Sequence, residues 1–179
     1  PLVSNRAVQT INFTRSNTMT AEEMRQVAIK LVSVIPESVK TDTLTERDKK
    51  DFFLADHENL AKVQERLSAK ERINSKTGEK LSEGDLYAKY VKKVTDEEIA
   101  YDADTELAAK LYKRMNATSN FATTIIASGN FTAEQQATIA ENERSFKGIS
   151  VGTTWEREYA ASPLTSILGT VTSEKTVIP

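Results

Sequence analysis

Residues 95–129, TDEEIAYDADTELAAKLYKRMNATSNFATTIIASG, carry the most extended helical pattern in the chain and straddle its largest change in composition. Thr95 with Glu98 forms a capping box: the hydroxyl accepts from the amide three residues on, and the carboxylate accepts from the cap amide. Ala100, Ala103, Leu107, Leu111 and Met115 follow at spacings of three and four, which is one face of a helix. The face extends through Thr118, Ala122, Ile125 and Ile126 to Gly129, a residue suited to the left-handed end of a helix. Unbroken, the stretch is a rod of roughly 50 Å at about 1.5 Å per residue. Against continuity stands NATSNFATT, residues 116–124, whose Asn, Ser and Thr side chains compete for backbone hydrogen bonds. Burial on all sides would keep this segment helical, whereas water would break it near Asn116.

Charge divides the chain at the same place. Residues 21–114 hold 38 of the 50 Asp, Glu, Lys and Arg residues, against two in residues 1–20 and ten in residues 115–179. The middle reads as solvated helices, and both ends read as segments that something covers. Leu, Ile, Val and Phe make up 41 of 179 residues, enough for a small core. The absence of cysteine excludes disulfides, a thiol nucleophile and thiolate metal sites. A net charge of −2 excludes a globally basic nucleic-acid binder. PLVSNRAVQTINF shows no secretory leader, Pro1 suits a start exposed by loss of an initiator methionine, and no segment is apolar enough for a membrane span.

In chain order, Val8 to Thr14 alternate as a strand or arm that needs a partner strand, in this chain or a neighbour. Thr20 with Glu23 opens a helix that Pro36 ends. Thr45 with Asp48 opens a second, running from Glu46 to about Asn74 with Phe53, Leu60, Val63 and Leu67 on one stripe. NSKTGEKL, residues 74–81, is a loop, and Ser82 with Asp85 caps the next helix. Thr132 with Gln135 opens another, to about Phe146. Gly148 and Gly152 bracket a turn or short extended piece, Trp155 to Ala161 form a short helix capped by Thr154, and Leu164 to Pro179 are extended.

No motif names a reaction, a cofactor, a ligand or a family. His57, the single histidine, lies at the edge of an apolar stripe and reads as a packing or boundary residue; alone it makes neither a zinc site nor a catalytic centre. Asp96, Glu97, Glu98, Asp102, Asp104 and Glu106 lack the loop spacing of a calcium site and suit a helix N-terminus. Lys49-Lys50, Lys92-Lys93 and Lys113-Arg114 each have acidic neighbours, which weakens any phosphate-binding field. No catalytic, cofactor-binding or metal residues are assigned, and no cofactor is expected.

The uncharged tail either folds back over the chain's own helices or docks on a neighbouring subunit, and its aromatic and aliphatic anchors resemble an interface core. Ile11, Phe13, Trp155, Tyr159, Leu164, Ile167, Leu168 and Val171 are the candidate partner-contact residues. The expected fold is mainly α: an irregular helical bundle of about five to six helices with extended N- and C-terminal arms. Its divisions are an arm over 1–19, a helical body over 20–147, and a short helix with a second arm over 148–179. The expected function is non-enzymatic, a structural subunit of a larger assembly such as a virion or phage component, its arms docking on homo- or hetero-oligomeric neighbours. Two alternatives are a nucleic-acid-associated packaging or scaffolding protein and an enzyme with an unrecognised site. The expected location is the cytoplasm or a virion-like assembly, without secretion.

Overall fold

The computed structural model describes residues 3–142 and 144–159. Three strands and six α-helices follow one another as β1 (Val3–Thr14), α1 (Ala21–Val32), α2 (Glu46–Leu54), α3 (His57–Glu65), α4 (Glu83–Lys93), α5 (Ala103–Ala117), β2 (Thr123–Gly129), α6 (Ala133–Glu141) and β3 (Ile149–Tyr159). Short 3-10 turns at Ala69–Arg72 and Glu97–Ile99 join the helices. The strands form one antiparallel sheet in the order β2-β1-β3. The expectation of a mainly α bundle with free arms is therefore overturned. Low-charge segments near both ends, residues 3–14, 123–129 and 149–159, are strands of this one sheet, making a mixed α/β fold, while the expected extended tail from Leu164 to Pro179 lies outside the described residues.

Helix starts follow the side chains that cap them. Thr20 with Glu23, Thr45 with Asp48 and Thr132 with Gln135 form reciprocal boxes, and the Ser82 hydroxyl accepts from the Asp85 amide. The second helix is not continuous to Asn74. The Asp56 carboxylate accepts from the amides of Glu58 and Asn59 and starts α3, and Ser68 with Glu71 starts the 3-10 turn. Both are capping signals present in the sequence inside an apolar pattern that runs through them.

The central stretch divides into three. Glu98 accepts from the Thr95 amide at 2.9 Å, yet only a 3-10 turn follows, because Asp102 caps α5 by accepting from Thr105. Helix α5 stops at Ala117. The guanidinium of Arg15, just past β1, donates to the carbonyls of Asn116 and Thr118 at 3.0 and 2.9 Å. A cation thus meets carbonyl groups that the helix leaves unpaired at its C-terminus. Phe121 then turns the chain with a left-handed φ of 65°, and its amide donates to the Arg15 carbonyl at 2.8 Å. The Thr-Thr-Ile-Ile run enters β2, where β-branched side chains fit the pleat. A register shift between Ile11 and Asn12 lets Ile126 and Ala127 both bury.

Trp155 to Tyr159, expected as helix, belong to β3. Gly152 permits close pairing there: a Cβ would stand 2.6 Å from Asn12 Nδ2 and 3.0 Å from Thr10 Oγ1.

Two apolar clusters organise the body. Ile11 and Phe13 of β1 pack with Met24, Ala28 and Leu31 of α1, Leu111 and Met115 of α5, and Ile139 of α6. A helical lobe gathers Leu54, Val63, Leu67, Tyr90, Val91, Val94 and Ile99. Helix α2 joins them, sending Phe52 into the first and Leu54 into the second, while Tyr101 packs against both. Phe52 meets Tyr101 and Tyr112 edge-on at ring separations of 5.7 and 5.6 Å, under the Arg25 guanidinium at 4.9 Å. Burial pushes the Tyr112 hydroxyl up to about 12.

Arg66 ties the lobe to the 3-10 turn with two bonds to Glu98, at 2.9 and 2.5 Å. Arg66 first, and then the Thr95 amide, hold the Glu98 carboxyl at about 2 instead of 4.5, against the opposing effect of burial. A lowered folded pKa contributes stability above 4.5 that disappears as pH falls from 4.5 towards 2. Melting temperature should fall across that window, and Glu98→Gln should flatten part of the fall. An unchanged acid profile in Glu98→Gln would remove the pair from the acid response.

Candidate interaction surfaces

The register of the sheet leaves part of it standing clear of the body. Strand β1 pairs with β3 from Val3↔Tyr159 to Phe13↔Ile149, but with β2 only from Gln9 to Thr14. Residues 3–7 and 155–159 are therefore a two-stranded ribbon of about 17 Å at roughly 3.3 Å per residue. Ser4, Asn5, Arg6 and Ala7 are exposed, as are Trp155, Arg157 and Glu158. Alternation puts Trp155 and Arg157 on the face of Ala7 and Asn5, and puts Glu156 and Glu158 with Arg6 and Ser4. Ala7 is too small to cover an indole, and Trp155 keeps 71% of its surface in solvent. Glu156 holds the ribbon to the body through Lys40 at 2.6 Å.

A second surface follows the outer edge of β2. Among the described residues its partner on that side is Lys40 alone, which exchanges backbone bonds with Ser128. TTIIASG has no charge, and Phe121 and Ile125 are 74% and 45% exposed beside it. Natural edge strands are usually guarded by charge, proline or a covering element.

The structure separates the residues that the sequence grouped as partner contacts. Ile11 and Phe13 have no exposed surface, because they belong to the chain's own core. They are corrected from partner contacts to core residues. Trp155 is on the ribbon, and the Tyr159 backbone pairs there with Val3. Leu164, Ile167, Leu168 and Val171 lie outside the described residues. Phe121 and Ile125 were missed as surface residues: neither residue shows by itself that one would end in an exposed turn and the other on an exposed strand edge.

Of the two readings of His57, packing or boundary residue, the structure excludes packing. It occupies the first turn of α3, its side chain 72% exposed, with Nδ1 2.6 Å from Glu22 Oε2. Within the acidic run Asp102 caps α5 and Glu98 pairs with Arg66. Among the described residues, no three His, Asp or Glu side chains gather into a metal-sized cluster. No helix among them is long and apolar enough to cross a membrane.

Residues 1–177 match the family model of the penicillin-binding protein dimerisation domain. The chain is 38% identical over 179 residues to penicillin-binding protein 2B of Streptococcus pneumoniae serotype 2, covering all of this chain and 26% of that protein. It is 33% identical over 181 residues to penicillin-binding protein 2A of Bacillus subtilis, covering 99% of this chain and 24% of that one. Solved structures of penicillin-binding protein 2B from S. pneumoniae strains 5204 and R6 superpose with TM-scores of 0.67 and 0.63, each at 36% identity and across the whole chain. They extend well beyond it: the chain covers 27% and 26% of them. The chain thus spans about a quarter of the length of the relatives it matches. A virion or phage structural subunit is overturned by these matches, and so is a cytoplasmic or virion location, since the relatives are bacterial penicillin-binding proteins. The expectation of protein partners is met at its coarser level: a dimerisation domain is a protein–protein interaction module.

Proposed function

The chain belongs to the penicillin-binding protein dimerisation domain family, and from that premise we propose that it is the non-catalytic association module of a larger cell-wall penicillin-binding protein. It would act outside the cytoplasmic membrane, holding that protein to a second copy. The observation that carries this reading is the ribbon formed by residues 3–7 and 155–159. A lone tryptophan, the residue type most enriched at binding hot spots, stands exposed on a strand pair continuous with the sheet.

Catalysis is assigned elsewhere in such a protein. Acylation by penicillin relies on a serine three residues before a lysine, with S-D-N and K-T-G elements nearby. This chain contains no S-x-x-K and no S-D-N. Its one K-T-G, Lys76-Thr77-Gly78, is an exposed turn with Gly78 at a φ of 73°.

Trp155 is the chain's only tryptophan, so its emission reports directly on the ribbon. Light scattering after size exclusion should show mass rising with concentration, and the emission should shift to the blue as the indole leaves water. Trp155→Ser should weaken association by roughly 30-fold, the equivalent of about 2 kcal/mol at a hot spot. A mass and an emission maximum independent of concentration would overturn self-association through the ribbon. Association that survives Trp155→Ser but is lost in Ile125→Lys would move the contact to the edge of β2.

A further inference from the structure

The end of the helical lobe carries a charge that the dimer reading does not use. Between residues 66 and 93 stand eight Lys or Arg and four Asp or Glu, in a chain whose net charge is −2. The arginines there are engaged. Arg66 is locked to Glu98, and Arg72 donates to the carbonyls of Gln64 and Leu67. Lys93 is engaged as well, by Glu71 at 2.8 Å. Lys70, Lys76, Lys80, Lys89 and Lys92 make no ion pair among the described residues.

Three of these free lysines, Lys70, Lys89 and Lys92, line a groove of about 540 Å³ between the 73–81 loop and α4. Ile73, Leu81 and Ala88 supply its apolar wall, and Ile73 is 40% exposed among the lysines. The two carboxylates in the wall are occupied. Lys93 leads in holding Glu71 at about 2, and Asp85 accepts from the Ser82 hydroxyl at 2.7 Å while its amide caps α4.

We propose that this groove and its lysine rim form a docking face for an anionic phospholipid surface, the lysines meeting headgroup phosphates and Ile73 entering the acyl boundary. Charge complementarity selects an anionic partner. Lysine ammoniums are mobile point charges suited to a diffuse array of phosphates, whereas a discrete anion is usually gripped by oriented arginines or buried donors. Among the described residues, the buried side-chain atoms without partners are in Asn12, Arg15 and Arg25, none of them in the groove. An exposed aliphatic residue inside a cationic rim gives the amphipathic arrangement of a peripheral membrane contact. This assignment rests on the groove itself and is independent of the Trp155 ribbon.

The test is co-sedimentation of the intact chain with vesicles of phosphatidylcholine, with or without phosphatidylglycerol. Binding should require phosphatidylglycerol and weaken with salt. Lys89→Glu with Lys92→Glu should reduce partitioning roughly 30-fold or more, since each lysine near an anionic surface contributes about a factor of five. The same charge change at Lys30 and Lys49, outside the groove, should reduce it far less. Ile73→Ser should reduce binding to vesicles and leave any binding to soluble polyphosphate unchanged. Equal binding to both vesicle types, equal losses in the two double variants, or full vesicle binding by Ile73→Ser would each overturn the proposal.

Discussion

Phe52→Ala should lower the free energy of unfolding by about 3–5 kcal/mol, the usual cost of emptying a buried aromatic site. Phe52 has no exposed surface, and three groups converge on its ring: Tyr101, Tyr112 and the Arg25 guanidinium. Truncation removes the transfer free energy of the ring and leaves a cavity that these neighbours cannot fill without leaving their own partners. Tyr101 donates to the Lys49 carbonyl at 2.9 Å, and Arg25 is paired with Asp56 at 3.0 Å. Because Phe52 and Leu54 join the two apolar clusters through α2, the loss should be shared. Urea unfolding should show a lower midpoint at unchanged slope, and amide exchange should accelerate in α4 as well as in the sheet. Phe52→Leu, which keeps much of the volume, should cost appreciably less. A loss under about 1 kcal/mol in Phe52→Ala would show that the site collapses freely and that the junction is not tightly packed.

Gly148→Ala should cost about 3 kcal/mol, through backbone rather than packing. Gly148 has a φ of 79°, where a side chain costs roughly 1–2 kcal/mol. Its added Cβ would lie 2.6 Å from the Thr14 carbonyl oxygen and 3.0 Å from the Phe13 ring. The main chain cannot retreat without releasing the bond from the Thr14 amide to the Gly148 carbonyl, 2.8 Å long, which seats the start of β3 against the end of β1. Gly84→Ala is the internal contrast. It sits in α4 with nothing within 4 Å and an ordinary φ, so alanine there should stabilise by about 0.5–1 kcal/mol. Thermal melts of the two variants should move in opposite directions; a destabilised Gly84→Ala or an unchanged Gly148→Ala would contradict the geometric account.

Local chemistry was legible wherever a side chain acts on its own backbone. The boxes at Thr20, Thr45 and Thr132 and the cap at Ser82 each start a helix where the sequence places them. The loop over residues 74–81 also forms as read, closed by a bridge between Ile73 and Lys80. Asp56 and Ser68 were equally visible as caps, but the apolar stripe of Phe53, Leu60, Val63 and Leu67 continues across them. A break that preserves the buried face leaves the periodicity intact.

The interaction surface was less legible, because a low-charge segment looks the same whether its own chain covers it or nothing does. Ile11 and Trp155 belong to strands of one sheet, yet one is fully buried and the other 71% exposed. Their difference comes from where β2 stops, at Gly129, and that boundary is set across the sheet and not within either segment. The lysines of the 66–93 segment were visible as residues, but their freedom depends on which acids reach them in space.

For the stretch from Thr95 to Gly129, sequence alone determined the buried positions Leu111 and Met115 and the weakness that begins at Asn116, whereas the box read at Thr95 keeps only the bond from its amide to Glu98 and α5 starts from Asp102. Tertiary structure decided that the helix stops at Ala117 and that Thr123 to Gly129 become a strand. The deciding contacts come from Arg15 and from β1, more than a hundred residues earlier in the chain. A Thr- and Ile-rich segment leans locally towards strand, but a strand forms only where a partner satisfies its backbone. Here that partner is the other low-charge end of the chain.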